Sequence, residues 1–194
     1  MTMDLEFLTS RPDIVGSGRQ RWLLSYWHRL RGSAALPAWR GLGDVAELDA
    51  MADYLGYAVI VGDEHDHRLL LTLQGARMAE AHGEYAVGKF LDEFLPSPYR
   101  EASLATCRQT VRTKLPVYTV VDLRDHEQRI VHYERLLLPF GADGLHVDGI
   151  LASIEATSPE GKFENRDLMN PPAKPPAFAL CATILHELSG QSQD

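Results

Sequence analysis

Few side chains in this sequence pair a chemically capable type with a telling position. Arg77 closes Gly75-Ala76-Arg77, where the apolar run Leu69-Leu70-Leu71-Thr72-Leu73 gives way to a helical pattern. Its planar guanidinium would suit a ligand carboxylate or phosphate, because the fork donates paired hydrogen bonds. It would equally suit an ion pair with Glu134 or Asp92 that pins the helix to the sheet. Glu134 and Arg135 are consecutive in a strand pattern, so they face opposite sides, one of them the helical side. Isomerase-like acid–base chemistry would need a carboxylate of raised pKa in a deep apolar pocket. Glu134 and Asp122 are the strand residues that qualify, and no second acid–base group stands beside either. His65-Asp66-His67 resembles a metal cluster, but these residues occupy a turn with no further His or Cys near in sequence, and a metal needs three or four convergent ligands. His82 and His132 are isolated. Cys107 lies on an apolar helical face, the position of a small buried hydrophobe.

The elements that must position these groups follow from periodicity. Residues 1–18 read as a flexible lead. Residues 19–31 predict a helix with Leu23, Tyr26, Trp27 and Leu30 at helical spacing, stopped at Gly32. A second short helix over 45–55 begins from an Asp44 cap. Strands at 57–61 and 68–74 flank the polar turn 62–67 as a hairpin. Short helices follow at 76–82 and 87–94, and a longer one at 99–113 carries Leu104, Cys107 and Val111 on one face. Strands opened by Pro116 and running to 123, at 129–138 and at 147–154 form an antiparallel meander. Its run Leu136-Leu137-Leu138 lacks the alternation of a half-solvated sheet, so both faces are covered. Helices 76–113 would cover one face, and the N-terminal helix or a second subunit the other. Pro171, Pro172, Pro175 and Pro176 stiffen a linker over 158–176. Over 177–188, Phe178, Cys181, Leu185 and Leu188 predict an amphipathic helix, with a tail to 194.

Composition limits the function. A length of 194 residues fits about one domain with extensions. A net charge of −8 disfavours nucleic acid and anionic membrane surfaces. The N-terminus has no apolar signal region and no run of 18 or more apolar residues occurs, so the expected setting is cytoplasmic. The two cysteines form no CxxC, which disfavours a disulfide framework or zinc cluster.

The ordered motifs then resemble a family. Tyr26-Trp27-His28-Arg29-Leu30-Arg31-Gly32, Gly75-Ala76-Arg77, Gly88, and the final hairpin of Tyr133–Pro139, Asp143-Gly144 and Val147–Leu151 resemble the stand-alone bacterial PAS-domain proteins formerly grouped as a domain of unknown function. Coverage is roughly residues 19–156. Ala76 departs from the usual Thr or Ser, and residues 81–86 are less typical.

The resemblance implies an α+β PAS fold: a five-stranded antiparallel sheet over a core of 56–157, with short helices on one face. Cap helices would fill 19–55, and the C-terminal amphipathic helix lies outside the resemblance. It implies a sensor or protein-interaction adaptor acting through a partner rather than by catalysis, with a purely structural dimerisation module and the small isomerase-like enzyme as alternatives. The residue pattern itself points to a pocket lined by Leu71, Leu73, Met78, Phe90, Leu104, Cys107 and Leu136, with Arg77 and Glu134 as polar groups. Trp22, Leu23, Tyr26, Trp27 and Leu30 would cap the sheet and contact a second copy. The cofactor is unknown: the Gly-x-Asn-Cys-Arg motif of flavin-adduct domains is missing, and helix 99–113 holds no histidine for haem. A homodimer, an unidentified signalling partner and a small-molecule ligand are the expected partners.

Overall fold

The computed structural model describes residues 5–42, 46–62, 67–170 and 177–185. Four expectations fall outside them: the Asp44 cap, the His65-Asp66 pair, the four prolines of the linker, and Leu188 with the tail to 194. The architecture is α+β. Strands are β1 (Leu8–Ser10), β2 (Leu55–Gly62), β3 (His67–Gln74), β4 (Val117–Arg124), β5 (Ile130–Phe140), β6 (Gly149–Thr157) and β7 (Ala177–Ile184). Helices are α1 (Gly18–Arg31), α2 (Ala46–Ala50), α3 (Ala76–His82), α4 (Leu91–Phe94) and α5 (Ser97–Thr113). The expected helix over 87–94 shrinks to α4, because Phe90 bridges to Leu70 in extended conformation just before it.

The strands form one sheet in the order β1-β7-β4-β5-β6-β2-β3. The five expected strands are contiguous and antiparallel within it, and β7 and β1 extend it to seven, with β1 parallel to β7. The expected C-terminal helix is therefore corrected to a strand over 177–184. The run Phe178-Ala179-Leu180-Cys181-Ala182-Thr183-Ile184 carries apolar residues at both helical and alternating spacing. Pairing decides between them, because β4 would otherwise expose a row of unpaired backbone groups. The lead likewise contains β1, whose register Leu8↔Ala182 to Ser10↔Ile184 depends on β7 being a strand.

Helices cover both faces of the central strands. On one face, Leu23, Leu24 and Trp27 of α1 pack with Tyr118, Leu136, Leu138 and Leu151 of the sheet. The Trp27 indole N–H donates to the Pro139 carbonyl at 2.7 Å. α1 is pinned to the sheet at its start. Ser17 Oγ caps it by accepting from Gln20 N, and Glu134 Oε2 accepts from Ser17 N at 3.2 Å and from the Tyr118 hydroxyl at 2.6 Å. A negative charge suits the unsatisfied N–H groups of a helix start. Arg19 holds Glu155 of β6 through two bonds of 2.6 and 2.8 Å. Leu23 and Trp27 thus cap this chain's own sheet, while Trp22, Tyr26 and Leu30 are half-buried, with Trp22 and Tyr26 stacked at 5.1 Å.

On the opposite face lie α3, α4 and α5. Gln109 of α5 donates to Thr183 Oγ1 of β7 at 2.9 Å, so the added strand is tied to the helical layer as well as to β4. Among the described residues, no helix is long and apolar enough to cross a membrane.

Candidate ligand cavity

β5 fixes which side chains meet the helical layer. Its alternation sends Glu134, Leu136, Leu138 and Phe140 toward α1, and Tyr133, Arg135 and Leu137 toward α5. Between that second set and α3, α4 and α5 lies a cavity of about 60 Å³. Small residues in the sheet make room for it: Gly56 and Ala58 of β2 and Ala152 of β6. A Cβ at Gly56 would sit 2.6 Å from Met78 Sδ, so glycine lets Met78 lie across the strand. Leu69 and Leu71 of β3, Ile150 and Ile154 of β6, and Leu91 and Phe94 of α4 supply apolar walls. Ser103 and Cys107 enter from one face of α5, being four residues apart.

Arg135 is the one permanently charged side chain among those lining the cavity. It is half-buried, and its one side-chain hydrogen bond among the described residues is Nη2 to Thr106 Oγ1 at 2.5 Å. That hydroxyl is itself engaged, donating to the Ser103 carbonyl at 2.7 Å. No carboxylate of the described residues lies within ion-pair distance of Arg135. Thr119 of β4 stands directly across from it in register, is fully buried, and has no partner for Oγ1. A second void of about 10 Å³ is lined by both Thr119 and Arg135, and it shares Ser103, Tyr133, Arg135 and Met169 with the larger one.

The groups around Arg135 are held neutral. Burial pushes the Cys107 thiol and the Tyr133 hydroxyl up, with Arg135 opposing more weakly in both. Burial pushes the Tyr99 hydroxyl up to about 12. Burial also pulls the His82 imidazole below its ordinary value; the Met78 carbonyl, which accepts from Nδ1 at 2.8 Å, opposes this, and Arg135 reinforces it.

Of the nine residues expected to line a pocket, Leu71, Met78 and Cys107 are in the cavity wall. The others lie elsewhere for identifiable reasons. Leu73 turns to the opposite face and is 40% exposed, because a register shift between Tyr57 and Ala58 leaves Thr72 bulged and pairs Leu73 with Tyr57. Leu136 and Glu134 belong to the α1 face by the phase of β5. Leu104 sits about 100° around α5 from Ser103 and is half-buried outside the wall. Phe90 packs under the Arg68 guanidinium at 3.8 Å, where Arg68 also bonds Asp92 and Glu93. Arg77 leaves α3 on the side away from the cavity. It pairs with Glu80 at 3.1 Å and borders an open polar cleft of about 720 Å³ with Arg19, Tyr54 and Glu155.

Sequence reading left open which of Glu134 and Arg135 faces the helices, took His82 as an isolated histidine, and missed Thr119 and Ser103. The signal for Arg135 was present in its alternation with Glu134, but choosing the inward residue requires knowing which side α5 occupies. Asp122, the other carboxylate weighed for catalysis, pairs with His132 at 2.7 Å on the exposed surface, away from the cavity. Among the described residues no three His, Cys, Asp or Glu side chains converge as a metal site.

No curated protein matches the chain in sequence. The model of the PAS domain family matches residues 17–154, from the cap of α1 into β6. That span holds the central five strands but for the last three residues of β6, the helical layer and every residue of the cavity wall named above except Met169, and it leaves β1 and β7 as additions. PAS domains are typically sensory or signalling modules. By the extent of that match, the chain belongs to the PAS domain family.

Proposed function

We propose that this PAS domain is a sensor whose signal is occupancy of the cavity between the sheet and α5. The observation that carries the reading is the cavity itself: protein interiors are close-packed, and here Leu71, Met78, Leu137 and Ile150 wall a space of about 60 Å³ that no side chain of the described residues occupies. A ligand there would touch β2, β3, β5, β6, α3, α4 and α5 together. Occupancy would bias the packing of the short helices α3 and α4 on the sheet, by as much as the ligand's preference for one arrangement over another. Output would then pass to a signalling partner through surfaces flanking this layer.

The test is a thermal-shift screen of small molecules of about four to six non-hydrogen atoms, the size set by roughly 10–15 Å³ per water-sized volume. The reading expects compounds that raise the melting temperature of the native chain and fail to do so for Ala58→Leu, which places three more carbons in the cavity. If equal shifts are seen in both proteins, or none in the native one, the cavity is not the sensory site.

A further inference from the structure

We infer that the cavity takes a short monocarboxylate, with its carboxylate on Arg135 and its apolar tail toward Leu71 and Ile150. This rests on the sensor reading above and names the ligand class.

Three features of the site lead there. A half-buried guanidinium has five donors and, among the described residues, one side-chain bond and no counter-ion. Removing charge from water without a partner is costly, and a carboxylate matches the guanidinium fork. Thr119, whose Oγ1 is buried and without a partner, lines the small void beside Arg135, and Ser103 borders both voids. A carboxylate oxygen seated there would give the Thr119 hydroxyl an acceptor.

The remaining wall is apolar, which sets the other end of the molecule. Leu71, Met78, Leu137 and Ile150 offer nothing to a sugar's hydroxyls or to a second charge. A phosphate dianion would leave one of its charges unmatched against a single cation, and an amine would meet like charge. Volume for about four to six non-hydrogen atoms limits the tail to a few carbons.

Calorimetric titration of the full chain with sodium butyrate, n-butyramide and 1-butanol tests this. Butyrate should bind at one per chain, roughly tenfold to a hundredfold more tightly than butyramide, as a charge-assisted pair requires. Arg135→Gln should bring butyrate down to the affinity of butyramide, and Arg135→Lys should recover part of the difference. Thr119→Val, close in shape to the native residue, should weaken butyrate several-fold with butanol unchanged, which keeps the test decisive if an Arg135 variant does not fold. If butyramide and butanol bind as well as butyrate, the carboxylate assignment is overturned while the sensor reading stands. If none of the three binds, the carboxylate assignment is overturned, and the thermal-shift screen with its Ala58→Leu control decides the sensor reading separately.

Discussion

Glu134 and Arg135 are neighbours of opposite charge, each half-buried, in opposite circumstances. The carboxylate accepts bonds from Ser17 N and the Tyr118 hydroxyl, whereas among the described residues the guanidinium has only the Thr106 hydroxyl. Their truncations should therefore differ in sign. Glu134→Ala should cost about 1–2 kcal/mol in urea denaturation, since it removes a charged acceptor from two donors. Arg135→Met should be neutral or stabilising in the absence of ligand, because an uncompensated cation is replaced by an apolar chain of similar length. A loss of more than about 1 kcal/mol for Arg135→Met would show that the guanidinium serves the fold. His82 makes a prediction of its own. Its folded-state pKa is depressed by burial, so below about pH 6.5 the unfolded chain binds the proton more readily. Stability should then fall as pH drops through and below that value, with no contribution above it. His82→Gln should flatten that part of the stability–pH curve, and an unchanged slope would exclude His82 as its source.

At the scale of elements, β7 matters most. Ile184 is fully buried, and its backbone N–H donates to the Pro116 carbonyl at 2.8 Å. Ile184→Ala should cost about 2–4 kcal/mol, as for other buried aliphatic truncations. A frayed helix lying outside the domain would lose almost nothing, so denaturant midpoints separate the two pictures. Most other elements were legible in the sequence. The helix of Gly18–Arg31 and the strands β2 to β6 carry periodicities strong enough to read, and Gly75 marks a true boundary: a Cβ there would lie 2.2 Å from the Ala52 carbonyl oxygen. β7 was misread because alanine-rich residues fit both periods and only the open edge of β4 chooses between them. The cavity was legible in part. Met78, Leu71 and Cys107 follow from phase within one element, whereas Leu73 is displaced by a bulge, and Arg135 depends on which layer covers which face. Neither of those is encoded locally.

The whole molecule carries a net charge of −8 around a cavity whose one lasting charge is positive. The outer field repels an anion while the inner site attracts it. Screening acts mainly on the outer field, over a Debye length of about 10 Å at 0.1 M salt. Butyrate association, followed by stopped flow, should therefore quicken as salt is raised, with little change in dissociation. An association rate that falls with salt would place the dominant attraction on the surface instead. The seam between β1 and β7 has a kinetic meaning as well. Leu8 pairs with Ala182, partners separated by nearly the entire sequence, and the strand between them and the rest of the sheet is itself held by β4. Closing so long a loop is entropically late, so β1 is the final rung laid down in folding. With three residues and a single neighbouring strand, it should also be the first rung to lift, its amide hydrogens exchanging with solvent ahead of those in β4 and β5.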